Sequence, residues 1–325
     1  MNNFKKIGMT ALAASLVSTS VFAGELGVAG SASINFENHS GTALNEVKTF
    51  SMGNQITFSG SGELDNGMTV ALSFTIDEFD NATTTATNGG AADGSLFDGH
   101  SVTVSSDAIG TLKFSGEGGA SAASSVGGTV GGNMWDNFNS NGGVSLTNSS
   151  AGNNSFFYTL PEMVDGLGIT ASLEPQDSDS KTQTGYGISY TGVEGLTADW
   201  ATTNVETWAA GTTGEENAWK LSYVYGSLTI AASNVEYDVG TSSSDQETDS
   251  YKVSYTVTDD FSVSYKTEEV SVPGSVDAEF EGMSASYTTG GMTVSANMQD
   301  GKNIGNATGV ANQVDYYGLG LSFAF

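Results

Sequence analysis

The chain contains no cysteine and no arginine, and its only histidines are His39 and His100. Without cysteine, disulfides, iron–sulfur ligation and thiol catalysis are excluded. The two histidines are expected in or beside loops, and they leave little material for a histidine-based metal site or a catalytic triad. The sequence therefore predicts a protein without a metal, a cofactor or an enzymatic activity.

Basic residues are scarce and acidic residues are abundant. The chain has 9 Lys against 37 Asp and Glu. Loss of an N-terminal segment that carries Lys5 and Lys6 would leave a net charge of 7 − 37 = −30. Because phosphate recognition requires clustered Lys and Arg, nucleic acid is not an expected partner.

Long apolar runs are absent except near the N-terminus. Lys5 and Lys6 precede an apolar run from Ile7 to Val17, and the segment ends with Val21-Phe22-Ala23, which is typical of a secretory signal peptide. The run is shorter than the roughly 18 to 20 apolar residues of a transmembrane helix. We predict a signal peptide over residues 1–23 and, because no proline-rich or charged linker follows, one domain over 24–325.

Apolar and polar residues alternate through most of the chain. Around residues 251–266, for example, Tyr and Val alternate with Lys, Ser and Thr, and only Thr258-Asp259-Asp260 interrupts the pattern. Such a pattern predicts two half-buried strands and a tight turn. Sixteen such runs are present, at 25–37, 51–64, 67–79, 99–107, 110–117, 153–160, 166–175, 184–192, 195–205, 217–225, 227–237, 249–257, 260–270, 278–288, 290–299 and 313–325.

The connections between these runs alternate between a few residues and long polar loops, and most acidic residues are expected in the connections. A soluble β-sandwich or β-solenoid also has alternating strands, but its apolar face needs a covering layer of comparable size. In a membrane the bilayer covers that face. We therefore predict an all-β fold: a transmembrane antiparallel up-and-down β-barrel of about 16 strands, embedded in outer-membrane lipid.

Aromatic residues at predicted strand ends would form girdles at the two membrane surfaces, as at Phe79, Trp200, Trp219 and Tyr317. The last strand has an apolar residue at every second position and ends on an aromatic residue. Its pattern resembles the assembly signal of bacterial outer-membrane barrels, which implies recognition by the barrel-assembly machinery; an ordinary terminal strand is the alternative. These positions are Tyr317, Leu319, Leu321, Phe323 and Phe325.

Two short stretches resemble the general Gram-negative porin family. The first is Asn154-Ser155-Phe156-Phe157-Tyr158-Thr159-Leu160-Pro161, followed by Gly166-Leu167, and the second is Gly110-Thr111-Leu112-Lys113-Phe114-Ser115-Gly116. The resemblance implies a 16-stranded homotrimer in the outer membrane of a Gram-negative bacterium. It also implies a long third loop folded into the lumen, here residues 118–152. We expect Trp135 and Phe138 to anchor that loop on the barrel wall; a loose external loop is the alternative.

A porin works as a sieve whose selectivity depends on the charges at its narrowest point. In related porins an acidic loop faces a basic wall that usually includes Arg, which this chain lacks. For the acidic side we predict Asp136 and Glu117. Five charged residues lie at polar positions between apolar neighbours, so we expect their side chains to point into the lumen: Lys113, Lys220, Lys252, Lys266 and Asp199. Each of these residues could instead lie in a wide, solvated part of the barrel.

The expected function is a diffusion porin for small hydrophilic solutes and ions. Its acidity favours cation preference, because negative walls concentrate cations. Two alternatives stay open: a substrate-selective channel on the same fold, and a non-conducting structural or adhesive surface barrel. Acidic loop residues such as Asp238, Asp245, Glu247 and Asp249 could bind calcium, although solvated loop acids are the simpler interpretation.

Overall fold

A computed structural model describes residues 26–41, 47–77, 98–141, 153–175, 182–206, 213–238, 245–309 and 312–325. Its strands form one closed antiparallel barrel in which every strand pairs with its neighbours in sequence. The strands are β1 Leu26–Gly41, β2 Val47–Glu63, β3 Thr69–Asp77, β4 Gly99–Ser106, β5 Gly110–Glu117, β6 Ser155–Thr159, β7 Leu167–Glu174, β8 Gln183–Tyr190, β9 Leu196–Glu206, β10 Thr213–Tyr225, β11 Leu228–Asp238, β12 Gln246–Thr258, β13 Phe261–Ser271, β14 Ala278–Thr289, β15 Met292–Lys302 and β16 Val314–Ala324.

The predicted 16-stranded barrel is confirmed, and each predicted run coincides with one strand. Several strands are longer than predicted. β1 continues to Gly41 instead of residue 37, and β15 continues to Lys302 instead of residue 299. The apolar alternation stops where the outer face becomes polar, whereas the backbone hydrogen bonds of the ladder continue. Hydrophobic periodicity therefore predicts the apolar part of each strand and misses its polar end.

The barrel closes between β1 and β16. Ser31 pairs with Ala324, and Gly30 and Phe325 exchange two backbone hydrogen bonds, of 2.7 Å and 2.9 Å. The final residue of the chain thus completes the ladder to the first strand. Closure satisfies the backbone donors and acceptors that an open edge would leave unpaired.

The two faces of the barrel differ in chemistry. On β12, the side chains of Tyr251, Val253 and Tyr255 are 59%, 47% and 51% exposed on the outer face, whereas Ser250 is fully buried on the inner face. No second sheet covers the outer face in the described ranges. A sandwich is therefore excluded, and the exposed apolar band is the surface that lipid would cover.

Short turns join the strands at one end of the barrel, which we call the turn end, and the longer connections lie at the opposite, loop end. Gly226 forms the turn between β10 and β11 with a φ of 59°, a conformation that glycine adopts without a Cβ penalty. Among the described residues, no helix has the length and apolarity needed to cross a membrane.

Candidate channel constriction

The chain enters the barrel interior after β5. We call residues 118–141 the inner segment; the remaining residues of the predicted third loop, 142–152, lie outside the described part. The segment contains the short helix α1, Ala122–Ser125, and a 3-10 helix, Met134–Asn141. Ser121 starts α1 through a capping box: its side chain accepts from the Ser124 amide at 3.0 Å, and the Ser124 hydroxyl accepts from the Ser121 amide at 2.8 Å.

Small hydroxyl groups on the inner wall hold the backbone of the inner segment. The amides of Ala122 and Ala123 donate to Ser172 of β7 at 2.9 Å and Thr203 of β9 at 3.0 Å. Farther along, the Gly131 amide donates to Ser250 of β12 at 2.8 Å. These bonds satisfy amides that neither helix nor sheet could pair. The described part of the predicted third loop thus lies against the inner wall.

Glu268 of β13 is a second attachment point, and it is only 2% exposed. Its Oε2 accepts from the Thr129 hydroxyl at 2.8 Å and from the Met134 amide at 3.2 Å. Nearby, the Lys266 ammonium donates to the Gly131 carbonyl at 2.7 Å. A buried carboxyl group is costly unless hydrogen bonds satisfy it, and the bonds from Thr129 and Met134 satisfy Oε2, whereas Oε1 has no hydrogen-bond partner among the described residues.

An apolar cluster fixes the 3-10 helix near the loop end. Met134 and Phe138 are fully buried, and Trp135 is 7% exposed. Phe138 lies 5.2 Å from Phe280 and 6.2 Å from Tyr316 between ring centroids. The other members of the cluster are inward-facing or loop residues: Val270, Ala278, Ile304 and Val314. Phe138 is therefore the apolar centre of the contact between inner segment and wall.

Two polar contacts flank this cluster. His39 Nε2 donates to the Asn137 carbonyl at 2.6 Å, and the Asn137 side-chain amide donates to Gln299 Oε1 at 2.9 Å. The expectation that His39 lies in a loop was wrong, because β1 extends to Gly41, whereas His100 is the second residue of β4 and lies within the predicted run 99–107. His39 is consequently an inner-wall residue 5% exposed.

The structure separates the predicted constriction acids. Asp136 is exposed on the 3-10 helix. Glu117 instead pairs with His100 at a β-bulge between β4 and β5, with Nδ1 and Oε2 4.0 Å apart. Asp199 lies directly opposite Lys220 on adjacent strands. Only Asp136 of the predicted acidic side therefore belongs to the inner segment.

The predicted lysines all occupy inner-wall positions. Lys113 lies on β5, eight strands from Lys266 on β13 and thus across the lumen. Lys252 and Lys266 are direct cross-strand partners on β12 and β13. Lys220 of β10 is close enough to Lys252 for their charges to repel. Three of the four lysines therefore converge on one side of the lumen.

The acidic residues are distributed differently from the prediction. Nineteen of the 37 Asp and Glu residues lie within the strands, leaving 37 − 19 = 18 elsewhere, so the expectation that most lie in connections was wrong. Ten of them occupy outward-facing positions near the loop end of β10 to β16, and we call these the outer acidic belt: Glu215, Glu236, Asp238, Glu247, Asp249, Glu269, Glu279, Glu281, Asp300 and Asp315. Six of the ten belt residues already lie within the predicted runs, and the remaining 10 − 6 = 4, Glu215, Asp238, Glu247 and Asp300, lie at polar strand ends that apolar alternation does not mark.

Aromatic residues border the outer apolar band. Trp200 and Trp219 are direct cross-strand partners, 44% and 39% exposed, and Tyr317 is 40% exposed on β16. Phe79 lies outside the described residues. The C-terminal positions of the predicted assembly signal, including Leu319 and Phe325, face outward in the same phase.

Sequence reasoning missed several residues that hold the inner segment, above all Glu268 and His39. The sequence could have indicated Glu268, because it lies two residues after Lys266 on β13 and therefore faces the same, inner side of the barrel. Ser172, Thr203 and Ser250 carried no signal, because small polar residues are common along the whole inner face.

Comparison with known proteins agrees with this geometry. A family model described as Gram-negative porin matches residues 8–325. The chain belongs to the Gram-negative porin family. No curated protein matches this porin by sequence.

Solved structures show the same fold at low identity. An anion-selective porin from Comamonas acidovorans has 15% identity and a TM-score of 0.66, with 92% of this porin and 99% of that chain covered. A substituted form of the Rh. blastica porin has 16% identity and a TM-score of 0.63, with 92% and 100% covered. At such identities the likeness concerns the fold alone.

Proposed function

We propose that this protein is an outer-membrane diffusion porin whose water-filled channel is narrowed by the inner segment. The observation that carries the proposal is the attachment of that segment to side chains of β7, β9, β12 and β13 on the inner wall. A segment held in this way reduces the cross-section available to solutes. Small hydroxyls and glycines on the inner face suit a wet lumen, through which small hydrophilic solutes and ions diffuse without covalent chemistry.

Single-channel recording in a planar bilayer tests this function. Purified mature protein, beginning after Ala23, is expected to give discrete conductance steps. Steps that occur in groups of three would support a homotrimer with one channel per subunit. Correctly folded protein without conductance would overturn the diffusion-pore proposal and favour the non-conducting structural or adhesive barrel.

The distribution of aromatic residues supports the homotrimer. All 12 Tyr and 4 Trp lie at or after Trp135, so β1 to β5 contain neither type. Their outer face carries phenylalanine instead, with ring pairs Phe36–Phe50 at 5.0 Å and Phe58–Phe74 at 5.1 Å. Tyr and Trp are enriched where a barrel meets the membrane surfaces. We infer that β1 to β5 contact another copy of the chain, while β8 to β16 face lipid.

Because the chain lacks cysteine, single substitutions can report this contact. Met52 on β2 and Met283 on β14 are outward-facing and similarly exposed in the single chain, at 65% and 60%. In assembled protein, Met52→Cys should be protected from a lipid-soluble thiol reagent, and Met283→Cys should react. Equal reaction of both would place β2 in lipid and contradict the interface.

The two ends of the chain would serve export and assembly. Residues 1–23 would direct secretion, and β16 would be recognised by the barrel-assembly machinery through its outward apolar positions. Phe325→Ala keeps the two backbone hydrogen bonds to Gly30 and removes only the terminal ring. We expect less protein in the outer membrane but unchanged refolding of the purified chain in detergent. A normal level in the membrane would contradict the assembly signal.

Net charge gives weak support to the expected cation preference. The ten residues of the outer acidic belt face away from the lumen. Ions in the channel are most sensitive to charges that line it, because exposed charges are screened over about 8 Å at physiological ionic strength. Selectivity should therefore depend on the charges of the inner wall.

A further inference from the structure

The lysines of the inner wall are unusually concentrated. After removal of Lys5 and Lys6, 9 − 2 = 7 lysines remain in the chain. Three of these seven, Lys220, Lys252 and Lys266, lie on β10, β12 and β13 with their side chains on the same face. Since the chain has no arginine, these residues form its densest positive charge in the described part.

Lys252 and Lys266 are placed directly opposite each other across two strands. Like charges in that arrangement destabilise a sheet. Lys252 repels both Lys220 and Lys266, and no carboxylate of the described residues forms an ion pair with it. A local arrangement that opposes stability is expected mainly where function requires it.

Three carboxyl residues face inward on β9 to β13. Asp199 lies directly opposite Lys220, and Glu216 lies on the inner face of β10, four residues before Lys220. Glu268 follows Lys266 on the same face, but its Oε2 is occupied by Thr129 and Met134 of the inner segment. The outer acidic belt begins three residues from Lys252, at Asp249, which is about 10 Å along the strand and on the opposite face.

Glycines of the inner segment lie beside two of the ammonium groups, and all three lysines are partly exposed. A Cβ on Gly127 would stand 3.5 Å from Lys220 Nζ, and a Cβ on Gly132 would stand 3.9 Å from Lys266 Nζ. Both glycines have a positive φ, of 77° and 83°. Larger residues at these positions would cover the lysines, so the Gly-rich segment keeps positive charge at the narrowed part of the lumen.

We infer that Lys220, Lys252 and Lys266 form an anion-binding station in the channel, so that a strongly acidic protein selects small anions such as chloride and inorganic phosphate. The inference rests on the proposed diffusion pore and reverses the selectivity that net charge predicts. Clustered charge of one sign in a cleft concentrates counter-ions about tenfold or more. Small solutes that carry phosphate or carboxylate groups would bind in the same way, because they are also negatively charged.

The reversal potential under a potassium chloride gradient tests the station. Wild-type porin should prefer chloride, and Lys252→Gln, which breaks no hydrogen bond to the inner segment, should shift the potential towards potassium. Replacing all three lysines by Gln should lower the chloride-to-potassium permeability ratio about tenfold at low salt. Inorganic phosphate should reduce the chloride current of the wild type but not of the triple variant.

Matched variants distinguish the station from net charge. Lys302→Gln removes the same charge from an outward-facing position on β15 and should leave the reversal potential unchanged. Asp199→Asn should strengthen the preference for chloride. Conducting wild-type channels that prefer potassium, with no change in Lys252→Gln, would overturn the anion station alone. A folded protein that does not conduct would overturn the diffusion pore together with it.

Discussion

Glu268 illustrates how one inner-wall side chain can position a much longer segment. It contacts Thr129 and Met134, which lie on either side of the glycine pair Gly131-Gly132. Without Glu268 the Thr129 hydroxyl and the Met134 amide would lose this acceptor, and a buried donor left without a partner costs about 1–3 kcal/mol. Its removal should therefore loosen the middle of the inner segment first.

We predict that Glu268→Ala gives a larger and noisier single-channel conductance than the wild type. The reason is that the inner segment loses a buried acceptor for Thr129 and Met134. Glu269→Ala is the matched control, because Glu269 is the next residue and faces outward in the belt. If both variants conduct like the wild type, Glu268 does not hold the constriction.

Gly110 and Gly226 offer a second comparison of single residues. Both have positive φ, of 77° and 59°. A Cβ on Gly110 would collide with the Thr159 carbonyl of the neighbouring strand, whereas nothing lies within 4 Å of a Cβ on Gly226. Gly110→Ala should lower the unfolding temperature of the folded barrel in detergent more than Gly226→Ala. Equal losses would show that backbone conformation alone determines the cost.

Among the elements, the 3-10 helix depends on tertiary contacts for its position. The hydrogen-bond geometry of a 3-10 helix is poorer than that of an α-helix, and Phe138 supplies apolar contacts with Phe280 and Tyr316. Removing a buried aromatic ring costs about 3–5 kcal/mol. A loss of that size should release this end of the inner segment without opening the barrel.

We predict that Phe138→Ala increases conductance while the barrel remains folded. Phe261→Ala, which removes an outward ring near the turn end of β13, should leave conductance unchanged. Recording both variants in the same bilayer separates the two effects. Loss of folded barrel in Phe138→Ala would indicate that the apolar cluster supports the wall as well as the segment.

The strands themselves were predictable as elements because their pattern is local. Period-two alternation located all sixteen, including the short β6, Ser155–Thr159. Their polar ends were not predictable in this way. At Glu247 and Asp300, for example, the side chains are acidic on the outer face while the ladder continues, and only the pairing partners reveal the strand.

At the scale of the whole molecule, the effect of a charged side chain depends on whether it faces the lumen or the outside of the barrel. The outer acidic belt contains direct like-charge pairs such as Asp300 with Asp315 and Glu281 with Asp300. Such pairs each cost up to about 1 kcal/mol, and salt screens them. The inner-wall lysines lie on the opposite face of the barrel, so they take no part in these like-charge pairs.

We predict that the unfolding temperature of the folded porin in neutral detergent rises with sodium chloride concentration. Asp300→Asn should raise it at low salt and should reduce its dependence on salt, because two like-charge pairs disappear together. Asp136→Asn removes equal charge from the inner segment and is expected to change the salt dependence less. A temperature that falls with added salt would mean that attractive pairs dominate the surface.

The sequence by itself determined the barrel, the number of strands, the alternation of short and long connections and the inward phase of Lys113, Lys220, Lys252 and Lys266. Each of these follows from local periodicity, since side chains alternate across a strand whatever its neighbours are. Only the tertiary structure decided that Glu268 and His39 hold the inner segment, that Lys252 opposes Lys266, and that the acidic belt faces outward. Those relations join residues far apart in the chain, and cross-strand register, which no local pattern encodes, brings them together.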